Sequence, residues 1–120
     1  MKIYFIKATK IMLPFLLVIL SGVVSAGQTS CDVKVTSLYV EDDGLVTIKT
    51  NSRNDWTTIC SLSSERMGVG TTTCAMWLSM IRGFEKNSEL FRIRYQTDGF
   101  TCSDMATYGS SPVPRYVMDL

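Results

Sequence analysis

The chain has 120 residues, 46% of them hydrophobic and 19% charged, with four cysteines, no histidine and a formal net charge of +1. So near-neutral a balance lacks the basic excess that non-specific nucleic-acid binding requires. Without histidine, the commonest general base and the nitrogen ligands of a mixed zinc site are missing.

At the start, Lys2, Lys7 and Lys10 precede an apolar core from Ile11 to Leu20 broken only by Pro14, and Val24-Ser25-Ala26 supplies small residues for cleavage. This is the pattern of an export signal over residues 1–26. The apolar stretch Ile11–Val24 is fourteen residues long, against the roughly 20 that a membrane-spanning helix needs. Thr29-Ser30 before Cys31 is not a lipobox. Cleavage leaves nine basic and eleven acidic residues, a net charge of −2. Residues 27–120 are then expected as one small secreted or periplasmic domain, in a compartment where cysteines pair.

After a polar arm at Gly27–Ser30, Val33–Val40 reads as a strand. Val33 and Val35 share one parity while Leu38 and Val40 share the other, and that phase change predicts a bulge. Glu41-Asp42-Asp43-Gly44 is a turn, and Leu45–Thr50 is the second strand of a hairpin. Asn51–Asp55 is a polar loop, and Trp56–Leu62, rich in aromatic and β-branched residues, is a third strand. A loop at Ser63–Thr72 leads to Cys74, Trp77, Leu78, Ile81 and Phe84 at helical spacing. Thr72 or Thr73 is placed to cap this helix, which should stop near Gly83 or a few residues later. In Leu90–Thr97, Phe91, Ile93 and Tyr95 alternate with Arg92, Arg94 and Gln96. Asp98-Gly99 is a turn, Cys102–Pro114 is irregular, and Arg115–Asp119 is a short last strand.

The order βββαββ, with the helix between strands three and four, is that of a five-stranded OB-like barrel, mainly β with one helix. In that topology the first and fourth strands pair antiparallel, which brings Cys31 to Cys102. Cys60 and Cys74 are separated by one loop. Two disulfides, Cys31–Cys102 and Cys60–Cys74, are therefore expected. The cysteine spacing contains no C-x-x-C pair for redox or metal chemistry, so neither a metal nor a cofactor is expected.

No enzymatic residue set emerges. Ser61, Ser63 and Ser64 belong to no Gly-x-Ser-x-Gly elbow, and Asp42 and Asp43 read as turn formers with the wrong spacing for an EF-hand. What remains is surface. Arg92 and Arg94 with Gln96 form an outward stripe, read as a solvated strand face in preference to a nucleic-acid platform. Trp77 shares a face with Ile81 and Phe84 and reads as core. Met76 and Met80 lie off that stripe and mark either a subunit interface or a wider core contact. Trp56, beside a polar loop, is either a core residue or an edge aromatic that stacks on a sugar or touches a partner. Trp56, Arg92 and Arg94 are thus the candidate contact residues.

Val46-Thr47-Ile48-Lys49, Cys60-Ser61-Leu62 and Phe91-Arg92-Ile93-Arg94-Tyr95 carry a resemblance to the binding subunits of bacterial AB-type toxins of the subtilase and pertussis-like type, over about Val33 to Tyr95. The resemblance implies an OB fold, a ring of five subunits and recognition of cell-surface glycans. Cys31 stands roughly where those subunits carry a sugar-contacting serine, and their C-terminal cysteine pair is missing, so no glycan-binding residue is carried over. The chain also looks like a small exported bacterial protein, a likeness that implies no activity. The expected function is a non-enzymatic module that binds a glycan or a protein, with the helix as a candidate oligomer contact. The alternative is a monomeric periplasmic accessory or inhibitor protein that recognises a protein partner through its loops.

Overall fold

The computed structural model describes residues 28–120, so the export signal expected over 1–26 lies outside the described residues. The elements are β1 (Ser30–Val33), β2 (Val35–Val40), β3 (Leu45–Thr50), β4 (Trp56–Ser61), α1 (Thr71–Lys86), β5 (Phe91–Tyr95) and β6 (Pro114–Asp119). They form two antiparallel three-stranded sheets, β1-β5-β6 and β2-β3-β4.

The strand expected over Val33–Val40 is two strands, which makes six in place of five. Asn51 divides them: its side-chain oxygen accepts the Lys34 N–H at 2.9 Å and its own N–H donates to the Lys34 carbonyl at 2.9 Å. Both backbone groups of Lys34 are thereby held in a corner, and the chain passes from one sheet into the other. The predicted bulge lies just beyond, where the β2–β3 register shifts between Val35 and Ser37. One residue is gained there, so Val33 and Val35 are buried while Leu38, of opposite parity, also packs against the core.

The expected closed barrel does not form. Among the described residues β4 and β6 have no ladder between them, and the irregular segment 101–113 covers the β4 edge instead. Tyr108 N–H donates to the Trp56 carbonyl at 3.2 Å, and Thr58 N–H donates to Ser111 Oγ at 3.1 Å. Pro112 and Pro114 have no N–H to offer, so this segment cannot extend those contacts into a ladder. Pro114 itself is tolerated as the first residue of β6 because that strand lies at a sheet edge.

Helix α1 packs on β2 and β4 through Cys74, Trp77, Ile81 and Phe84. Phe84 stacks on Phe91 at 4.8 Å between ring centroids, which couples the end of the helix to β5. The cap is not Thr72 or Thr73: it is Gly70, two residues before the nearer of them, and it makes no side-chain cap bond. Among the described residues no helix is long and apolar enough to cross a membrane.

Both expected disulfides form, Cys31–Cys102 and Cys60–Cys74, across sequence separations of 71 and 14 residues. In the chain-entropy account these closures contribute about 4 and about 3 kcal/mol, a large share for a domain this small.

Candidate functional site

Strand registry places a connected set of side chains on the outer face of the β2-β3-β4 sheet. Ser37, Lys49 and Trp56 form one cross-strand row, and Tyr39, Thr47 and Thr58 the next. The alternate row, Val40, Val46 and Cys60, faces the helix, since Cys60 is bonded to Cys74. Side chains of neighbouring rows point to opposite faces, so Tyr39, Lys49 and Trp56 lie on the side away from α1.

Trp56 begins β4, its N–H donating to Asp55 Oδ1 at 2.8 Å. Tyr39 meets it edge-on, with centroids 4.8 Å apart and planes at 68°, and Lys49 Nζ lies 4.7 Å from the indole centroid. Thr47 and Thr58 are 1% and 2% exposed, and their hydroxyls approach to 3.4 Å. The result is a half-buried aromatic pair on a closed floor, flanked by one ammonium group and the Ser37 hydroxyl. Such a surface offers apolar ring faces for stacking together with polar donors at their margin.

A second layer holds this face from the side. The Arg53 guanidinium donates to the Met105 carbonyl through Nη1, and through Nη2 to Thr57 Oγ1 at 2.6 Å, Trp56 O at 3.1 Å and Ala106 O at 3.3 Å. It therefore ties segment 101–113 to the strand that carries Trp56. Tyr108, in that segment, is 48% exposed with φ 49°, a left-handed backbone that non-glycine residues seldom adopt.

Arg92 and Arg94 are on β5, in the other sheet, so the structure does not bring them to Trp56. Their side chains are engaged within the molecule. Arg92 forms a two-point bond with Asp32 at 2.7 and 3.1 Å, and Arg94 Nε donates to Gln28 Oε1 at 2.7 Å. The hydrogen bond from Arg92 holds the Asp32 carboxyl below the usual carboxylate range and raises the guanidinium in return. These arginines strap β1 and the N-terminal arm to β5.

Trp77 is core-facing, as its helical spacing implied, whereas Met76 is exposed and Met80 packs partly against the core. The acidic turn is exposed, and Asp43 closes it by accepting the Leu45 N–H at 3.2 Å. Tyr39, Lys49 and Arg53 were not singled out from sequence. The first two required the cross-strand register, which the bulge at Thr36 obscures. Arg53 sits in a polar loop, and two of its four acceptors, Met105 O and Ala106 O, lie about fifty residues away. Comparison with known proteins returns no matching family model, no matching curated protein and no matching solved structure.

Proposed function

We propose that this protein is an exported, non-enzymatic binding module of OB-like architecture that recognises a glycan through the outer face of the β2-β3-β4 sheet. The observation that carries this reading is the Tyr39–Trp56 pair with Lys49 over the indole. Aromatic rings present flat apolar faces to the C–H side of a sugar, while an ammonium and a hydroxyl at the rim satisfy its hydroxyl groups. The long Lys49 side chain swings aside at small cost, because an exposed cation–π contact is worth only about 0.5–1 kcal/mol. Two disulfides fit an oxidising compartment, and the chain's passage from one sheet to the other at Lys34 supports the OB-like part of the reading.

A glycan array probed with residues 27–120 tests it. Specific binding that Trp56→Ala abolishes and Arg92→Ala leaves intact is the expected result. Absence of any glycan signal, or binding unchanged by Trp56→Ala, removes the reading.

One observation favours the alternative of a protein-binding accessory or inhibitor. Met67 and Tyr108 are loop-tip residues, 72% and 48% exposed, both with positive φ, and strained exposed tips of this kind are common at contact sites. Under that reading, capture of a defined periplasmic protein is lost in the double variant Met67→Ser, Tyr108→Ser. Capture that survives the pair of changes excludes it.

A further inference from the structure

Strand β6 is a free edge of the β1-β5-β6 sheet: among the described residues its only ladder is to β5. Alternate residues of such a strand direct their backbone N–H and C=O groups away from the sheet, where another strand can pair with them. The other edges offer less. The β4 edge is covered by segment 101–113. Strand β1 is four residues long and its Asp32 is bound to Arg92, and β2 carries no charged residue.

The sequence of β6 is Pro114-Arg115-Tyr116-Val117-Met118-Asp119, which places one cation and one anion at equal distance on either side of Val117. Both are exposed. The ion pair formed among the described residues is Arg92–Asp32, so Arg115 and Asp119 are each left without an opposite charge. On the β5 side Asp119 stands opposite Phe91, and the register shift between Arg94 and Tyr95 leaves Arg115 opposite no residue.

A strand of this kind is complementary to itself. When two copies run antiparallel about a two-fold axis at Val117, Arg115 of each faces Asp119 of the other, and Tyr116 faces Met118. Such an axis can pass through either a hydrogen-bonded or a non-hydrogen-bonded pair, so the register holds whichever kind Val117 makes. Two opposite-charge pairs, a central β-branched pair and two aromatic–thioether contacts all favour the ladder.

We propose that two copies of this chain associate edge to edge through β6, in antiparallel register about Val117, and join their sheets into one. The contact uses the same patch on both copies, so it closes at a dimer. A ring of five, which the resemblance to toxin subunits implies, needs two different patches instead. The contact also lies on β6 and not on α1. One edge of six residues is small for an interface, so the dimer is reversible and concentration-dependent. Trp56 is on the other sheet, and either reading can fail without the other.

Sedimentation equilibrium of residues 27–120 from about 1 μM to about 1 mM tests it. The mass should rise from one copy to two. Arg115→Glu sets two pairs of carboxylates opposite each other, and Asp119→Arg two pairs of guanidinium groups. Each single variant should weaken the dimer about tenfold or more, with the thermal midpoint of the dilute monomer unchanged because neither residue has an ion-pair partner within the fold. An equimolar mixture of the two variants restores opposite charges at both positions, so it should regain a mixed dimer that neither forms alone. A mass that stays at one copy, a mass of five copies, a dimer indifferent to both substitutions, or a mixture without recovery overturns the proposal.

Discussion

Two loop arginines hold segment 101–113 against the rest of the domain, and their environments predict opposite costs of removal. Arg53 reaches four acceptors, two of them the carbonyls of Met105 and Ala106. Arg66 reaches two, the carbonyls of Gly109 and Ser111 at 3.3 and 3.1 Å, both through Nη2, while its Nη1 is buried with no partner among the described residues. Burial also pushes the Arg66 guanidinium below its ordinary pKa. A hydrogen bond to a charged group contributes about 1.5–3 kcal/mol, and a buried unsatisfied donor costs about 1–3 kcal/mol. Since bonds sharing one guanidinium do not add fully, Arg53→Met should destabilise by about 3 kcal/mol. For Arg66→Met the lost bonds and the relieved desolvation offset each other, and the change should stay within about 1 kcal/mol of zero. With a urea slope near 1 kcal/mol/M for a domain of this size, Arg53→Met lowers the unfolding midpoint by about 3 M and Arg66→Met moves it by less than about 1 M. Equal midpoints for the two variants would refute the reasoning, because they would mean that the orphan nitrogen carries no cost.

Gly44 and Gly68 form a similar pair. Both have positive φ, +90° and +88°, but a Cβ at Gly44 would lie 2.9 Å from Ser63 N whereas one at Gly68 meets nothing. Gly68→Ala should therefore cost about 1 kcal/mol and Gly44→Ala clearly more in the same denaturation assay. Burial pushes the Tyr95 phenol up to about 12. The folded state thus favours the protonated form: this contribution is complete below pH 10 and is lost as pH rises towards 12, at up to about 1.4 kcal/mol per pH unit. Tyr95→Phe should flatten the alkaline limb of a stability–pH curve. Replacing Cys31 and Cys102 together by alanine opens the 71-residue loop and should cost about 4 kcal/mol, measured by urea unfolding under non-reducing conditions with Cys60–Cys74 intact.

The elements that could be read from sequence are those whose signals are local. The Asp43-Gly44 turn, the Leu45–Thr50 strand and the apolar stripe of α1 each depend on a few adjacent residues, and each appears within a residue or two of its expected place. The disulfide pairs follow from strand order alone, so they survived an error in strand count. That error came from Asn51, which splits the first strand at Lys34 through bonds to a residue seventeen positions earlier. Barrel closure failed for a related reason: the capping segment 101–113 is anchored by Arg53 and Arg66 as donors and by Ser111 as the acceptor of the Thr58 N–H, polar side chains whose long-range partners leave no periodic trace. Trp56 was identified, but its partners Tyr39 and Lys49 become neighbours only once the bulge at Thr36 sets the register.

The same clamp joins stability to the proposed recognition face. Arg53 binds the carbonyl of Trp56 itself, and Tyr108 N–H binds that carbonyl from the opposite segment. The backbone under the indole is therefore held through contacts that depend on segment 101–113 staying docked, and the Cys31–Cys102 bond is the covalent anchor of that segment. A ligand that stacks on Trp56 gains from a ring already fixed in place, since less side-chain and loop freedom is lost on binding. Arg53→Met touches no part of the aromatic face directly, yet it should weaken ligand binding at Trp56 through loss of pre-organisation. Arg66→Met, whose acceptors are Gly109 and Ser111, should weaken it less. The ordering of these two affinities, measured under conditions where both variants are fully folded, separates a pre-organised platform from one that forms only around its ligand.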